Sequence, residues 1–323
     1  MPTMKAFSSH RFALPLPPGH RFPMDKYRRL QDRVFEHAAA WGIEVLPADE
    51  VGEDALRRTH DGDYVARMLC GEAVEDDVRR IGFPWTPELI ARSRCSAGAT
   101  LAALRAAVRG DGVAANLAGG THHAGIDRGG GYCVFNDSVI AIRELRTEGL
   151  IQRALVVDLD VHQGDGTAEL CADDPDTFTF SMHGARNYPA RKPDSDWDVA
   201  LPDGCGDADY LAQLAAALDV LADRARPDAL LYVAGADPFA GDRLGRLGLS
   251  KGGLAERDRL VFDFARRNGL PMSVSMAGGY AENIDDIVDI HLETIRQAAG
   301  LASQVSSMAA GAGRSGTVSL ASS

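Results

Sequence analysis

Short apolar runs alternate along the chain with longer segments whose apolar positions recur at helical spacing. The short runs predict strands over residues 43–46, 113–117, 154–157, 177–180, 229–234 and 272–276. The helical pattern covers residues 24–40, 87–108, 138–147, 208–225, 253–267 and 284–299. Two of the strand runs, ALVVDLD and ALLYVAGAD, are apolar almost throughout until their closing acidic residues. Strands covered on both faces read this way, because neither side meets water. Strands alternating with helices predict βαβ units and an open parallel sheet, an α/β fold. No repeat or linker interrupts the pattern, so residues 1–300 are expected to form one domain. The Ser-, Gly- and Ala-rich stretch 301–323 is expected to be a disordered tail.

Ligands of such a sheet bind beyond the carboxyl ends of its strands. The residues just after each predicted strand therefore carry the functional signal. AGGTHHAG brings His122 and His123, and DLDVHQGDGT brings Asp158, Asp160, His162 and Asp165. GADPFAGD brings Asp237 and Asp242, AGGY brings Tyr280, and SMH follows the fourth run. Polar and titratable groups gather at five strand ends while the strands themselves stay apolar.

Bulk composition narrows the function classes. Of 323 residues, 45% are hydrophobic and 25% charged, an ordinary globular balance. The net charge of −12 argues against direct nucleic-acid binding and tolerates cationic substrates. Five cysteines, an odd count with no CxxC pair, read as reduced thiols in a cytoplasmic protein. MPTMKAFSSHRF lacks the apolar core of a signal peptide, and no apolar run reaches the length of a membrane helix.

Asp160 and His162 stand at i and i+2, so on an extended segment both point to one side and can grip one ion. Asp237 could supply a third ligand. Two carboxylates and one imidazole leave an open coordination position, the pattern of a catalytic site. A structural zinc site would be closed by thiolates. The donor set suits Zn²⁺ or Fe²⁺. Helix capping is the competing reading, and for Asp237 alone the two stand level. For Asp160 and His162 together the metal is preferred, since aspartates two residues apart in apolar surroundings repel each other.

His122 and His123 are adjacent, so on an extended loop they diverge and each needs its own orienting carboxylate. Asp158 and Asp165 could serve, one per histidine, fixing the tautomer of each ring. Tyr280 follows two glycines that allow close backbone approach, and its phenol could donate to a developing oxyanion. Packing against the sheet end is the other reading. Gly129, Gly130 and Gly131, followed by Tyr132, could line a narrow channel or form a plain turn.

These blocks, THHAG, GGGYCVFND, VDLDVHQGDGT, GADPFAGD and AGGY in that order, resemble the histone deacetylase signature. HRFPMDKY and THDGDYV look like its N-terminal blocks, and the resemblance runs from about Phe22 to about Ala299. AGGTHHA, HQGDG and RIGFPWTPE are similar to the class IV branch and its bacterial relatives. The resemblance implies the arginase/deacetylase fold, a three-layer α/β/α arrangement around a mostly parallel eight-stranded sheet. It implies zinc on Asp160, His162 and Asp237, and His123 as general base oriented by Asp165. His122, backed by Asp158, would be an electrostatic partner, and Tyr280 would polarise the carbonyl. The Gly131 carbonyl would accept from the substrate amide, with Tyr132 lining the channel. Asp158, Asp160, His162, Ser181 and Met182 match a family K⁺ site built largely of backbone oxygens. Tyr132 and Gln163 depart from common family residues and leave the preferred acyl group open.

The implied substrate is an acylated lysine in a peptide or protein. A small acylated amine such as an acetylpolyamine is the alternative on the same fold. An arginase-type two-metal site is disfavoured because Phe239 fills its middle carboxylate position. A non-catalytic acyl-lysine binder is disfavoured because no catalytic position has been lost.

Overall fold

The computed structural model describes residues 4–9, 14, 16, 17 and 19–314, the last ten of them by backbone alone. Eight parallel strands form one sheet. They are β1 (Met4–Ser8), β2 (Ile43–Pro47), β3 (Val113–Asn116), β4 (Ala154–Asp158), β5 (Thr177–Gly184), β6 (Trp197–Leu201), β7 (Ala229–Val233) and β8 (Met272–Ser275). Their order across the sheet is β2-β1-β3-β8-β7-β4-β5-β6. All seven neighbouring pairs are parallel.

Helices α1 (Lys26–Trp41), α8 (Asp207–Ala225), α9 (Lys251–Arg267) and α10 (Ile284–Arg314) cover one face. On the other lie α5 (Pro87–Ala106) and α6 (Asp137–Thr147), with the short helices α2 (Glu53–Arg57), α3 (Gly62–Cys70) and α4 (Glu75–Ile81) outside them. A further short helix, α7 (Asp165–Cys171), follows the segment of Asp160 and His162. The expected three-layer α/β/α architecture is present. β3, β4, β7 and β8 are buried at every position, as their apolar runs predict.

All six predicted strands form, with ends moved by a few residues. β1 and β6 were not predicted. β1 is five residues long, and β6 is an edge strand that is mostly half-exposed, so neither carries a strong apolar run. Residues 301–314 of the expected tail continue α10, which buries Leu301 and Ala302. Residues 315–323 of that expectation lie outside the described residues. Among the described residues no helix is long and apolar enough to cross a membrane, and none of the five cysteines is in a disulfide.

Candidate active site

The four central strands β3, β8, β7 and β4 are consecutive in the sheet, and their carboxyl ends supply the site. Asp160 and His162 follow β4, and Asp237 follows β7. One donor atom from each lies within 4.8 Å of the other two, and all three residues are buried. His162 Nδ1 is 3.0 Å from Asp160 Oδ1 and 3.1 Å from Asp237 Oδ2. Capping does not explain these aspartates: the N-cap of α7 is Gly164 and that of α9 is Ser250.

Backbone groups aim the carboxylates. Gly278 N–H donates to Asp160 Oδ2 at 2.8 Å, and Val161 N–H donates to Asp237 Oδ1 at 2.9 Å. A Cβ on Gly278 would stand 1.9 Å from Asp237 Oδ2, so only glycine lets the β8 loop close over the ligands. Asp237 Oδ2 is itself buried and accepts no properly angled hydrogen bond. Two buried carboxylates, one left with a bare oxygen, beside an imidazole need a positive charge among them, and a divalent cation fits. Burial and then the charge of Asp160 push Asp237 upward, while the two neighbouring aspartates outweigh burial and push His162 up to about 10.

The two histidines sit on a turn after β3, not on an extended loop, and their rings are 4.1 Å apart instead of diverging. Each nevertheless has its own carboxylate. His122 Nδ1 is 2.6 Å from Asp158 Oδ2, and His123 Nδ1 is 2.6 Å from Asp165 Oδ1. Burial opposes the charge on His122, but Asp158 and Asp160 outweigh it and push its pKa up to about 9. Burial, then the charge of His122, brings His123 down to about 4. The two neighbouring imidazoles are thus pushed apart in basicity, His122 upward and His123 downward. The turn is anchored by Asp137, which accepts from Thr100 Oγ1, Gly120 N, and Thr121 N and Oγ1.

Tyr280 hangs on the loop after β8. Its N–H donates to Asp242 Oδ2 at 2.6 Å and its carbonyl accepts from Arg243 Nε at 2.9 Å. Lys26, buried under the same loop, donates to the carbonyls of Ala277 and Gly279. Burial and then Asp237 raise the phenol well above its ordinary value, so it stays protonated and can donate. Asp242 also accepts from Leu244 N and Gly245 N. That engagement, with Phe239 between the two aspartates, removes the carboxylates a second metal would need.

An inner cavity of about 40 Å³ and an outer one of about 450 Å³ share His123, Gly131, Tyr132, His162 and Tyr280, which form the neck between them. Gly131 has φ 51°, and a Cβ there would meet His123 Cδ2 at 2.3 Å, so the wall can approach the imidazole only as glycine. Tyr132 packs on Phe22 and Phe83, with its ring 5.9 Å from Tyr280. The opposite wall is Tyr188, whose ring meets His123 edge-on at 4.8 Å. Sequence reading missed Tyr188; an aromatic shortly after the β5 end was the available signal. Gln163 turns away from the ligands and donates to Pro193 O and Asp198 Oδ1. Ser181 and Met182 lie on β5, with Ser181 in register with Asp158, and neither lines the two cavities. Arg257 was also missed. Fully buried, it donates to the carbonyls of Leu159 and Gly235, just before the two ligand-bearing segments, and pairs with Asp258.

A family model described as "Histone deacetylase domain" matches residues 20–295. The chain belongs to the histone deacetylase family. The matched span contains every residue of the site above. An uncharacterized protein from Picosynechococcus sp. is 42% identical over 280 residues, covering 87% of this chain and 93% of that protein. Histone deacetylase 2 of Arabidopsis thaliana is 35% identical over 202 residues, covering 61% of this chain and 51% of that one. The chain spans about half the length of the plant histone deacetylases it matches. The crystal structure of an HDAC homolog from Aquifex aeolicus shares the fold, with a TM-score of 0.78 at 22% identity, over 92% of this chain and 84% of that one.

Proposed function

We propose that the chain is a single-domain, zinc-dependent hydrolase of acyl-lysine amides. The observation that carries this reading is the buried Asp160–His162–Asp237 cluster at the neck of a two-part cavity, with a carboxylate-oriented free-base histidine on one side and a protonated tyrosine on the other. Asp160, His162 and Asp237 would hold the zinc, which when bound polarises the carbonyl and supplies a water that ionises near neutral pH.

The remaining work falls to side chains of this chain. Asp165 keeps the Nδ1 proton of His123 in place, so Nε2 is free to take a proton from the attacking water. As the C–N bond breaks, His123 returns that proton to the departing amine, giving a carboxylic acid product and free lysine. Tyr280 donates to the carbonyl oxygen as negative charge builds there. His122, charged and held by Asp158, favours that charge from the inner side. The Gly131 carbonyl accepts from the substrate amide N–H, and Tyr132 and Tyr188 shield the neck from water. Asp158, Ser181 and Met182 would offer oxygens to a K⁺ ion beneath the metal loop.

The test is a substrate panel on protein loaded with stoichiometric zinc: acetyl-lysine peptides, longer acyl-lysine peptides and acetylpolyamines. Turnover of an acyl-lysine peptide, fastest among the three, is expected. Faster turnover of acetylpolyamines would replace the substrate assignment. No turnover on any arm, with zinc bound, would sink the enzymatic reading.

A further inference from the structure

The outer cavity is lined by four arginines, Arg79, Arg80, Arg186 and Arg246, and by no carboxylate, on a protein whose net charge is −12. Their side chains are 77%, 49%, 73% and 50% exposed, so all four face solvent at the mouth. Their acidic neighbours do not balance them. Arg79 and Arg80 share Asp76, and Arg186 and Arg246 share Asp203. Two guanidiniums on each carboxylate leave one positive charge over at each pair.

Both pairs ride on backbone tied to the neck. Gly131 N–H donates to the Arg80 carbonyl, and Tyr132 N–H to the Ile81 carbonyl, at 3.1 and 2.8 Å. Asn187 accepts from Arg246 N and donates to the Leu244 carbonyl, joining the loop of Arg186 and Tyr188 to that of Arg246. The backbone that carries the four guanidiniums is thus tied to the rim of the entrance, outside the neck where an acyl chain would enter.

We propose that this mouth selects acyl-lysine substrates whose neighbouring residues are acidic. Guanidiniums pair with carboxylates in a forked geometry that suits Asp and Glu side chains. The proposal rests on the acyl-lysine reading of the site. It places the selected negative charge on the residues flanking the lysine, because the arginines stand at the mouth. A negatively charged acyl group would carry its charge past them into the neck, which offers Tyr132, Tyr188 and Tyr280.

The experiment uses the zinc-loaded full chain and acyl-lysine peptides of one length, flanked by Glu, Gln or Lys, with a neutral and a succinyl acyl group. The Glu-flanked peptide should exceed the Lys-flanked one roughly tenfold in kcat/KM at low salt, as a few exposed ion pairs give. The difference should lie in KM and shrink as salt shortens the screening length. In Arg80→Glu and Arg246→Glu the Glu-to-Lys ratio should fall to about one or invert; taken within each variant, the ratio is independent of overall activity. Equal rates for all flanks, or a preference that follows the succinyl group and ignores the flanks, would overturn the proposal. If nothing turns over, fluorescence anisotropy on the same peptides decides it separately: tighter binding of the Glu-flanked peptide upholds the mouth while the hydrolase reading fails, and equal binding overturns both.

Discussion

Asp165 Oδ1 sits 2.6 Å from His123 Nδ1, on the ring edge away from the neck. The contact fixes which nitrogen of His123 carries the proton. Asp165→Asn should therefore keep the ring near its place and present the wrong tautomer. The expected outcome is a fall in kcat on the order of 10²–10⁴ with zinc content unchanged, since Asp165 is not a ligand. Steady-state kinetics with metal analysis checks it. Loss of zinc along with activity would mean that Asp165 acts through the metal site instead.

Tyr280→Phe removes one hydroxyl and leaves the backbone bond to Asp242 intact. Turnover should drop about 10²–10³-fold while KM and zinc content hold, the pattern of a donor that acts on developing charge. Retention of near wild-type kcat would end the oxyanion role.

Asp237→Asn tests the metal cluster through stability. In chelator, the wild type holds two buried carboxylates against one imidazole, so removing a charge should leave the melting temperature equal or higher. Added zinc should raise the wild-type melting temperature, because binding to the folded state alone stabilises it, and should leave the variant unmoved. An equal rise in both would show that zinc binds elsewhere.

His60 predicts acid sensitivity away from the active site. Its Nδ1 lies 2.7 Å from the Gly125 carbonyl, and its Nε2 accepts from Asn136 N–H at 3.0 Å, so the ring is held neutral between the rings of Tyr64 and Phe135. Burial, with a smaller contribution from nearby Arg143, brings its pKa down to about 4. The unfolded chain binds a proton here from about pH 6.5. Stability from this group is therefore full above that pH and is lost as pH falls toward 4, by about 1–3 kcal/mol. Denaturant midpoints measured across that range should slope less in His60→Asn than in the wild type; parallel slopes would remove His60 as the source.

The pairing of Asp160 with His162 was legible because they follow a strongly apolar run with spacing that local geometry constrains. The contacts of Asp158 with His122 and Asp165 with His123 were legible for the same reason, since the two aspartates bracket that motif. The shape of the His122–His123 turn was not, because Asp137 sets it from the far side of the loop. Tyr188 and Arg257, and the bond of Asp242 to Tyr280 N–H, depend on contacts between distant segments that no local period marks. β6 escaped notice for a related reason: an edge strand, half in water, has little apolar pattern to show.

The place of β8 in the sheet bears on how the protein is made. β8 is the last strand in the chain, yet it lies between β3 and β7, and its ladders alone join β2-β1-β3 to β7-β4-β5-β6. A growing chain that ends at Arg267 holds two half-sheets, each with an open inner edge able to pair with a stranger. His122 and His123 follow β3, while Asp160, His162 and Asp237 follow β4 and β7, so a chain that ends before β8 carries the two sets on half-sheets that no ladder joins. The closing of the sheet brings the two sets of side chains together.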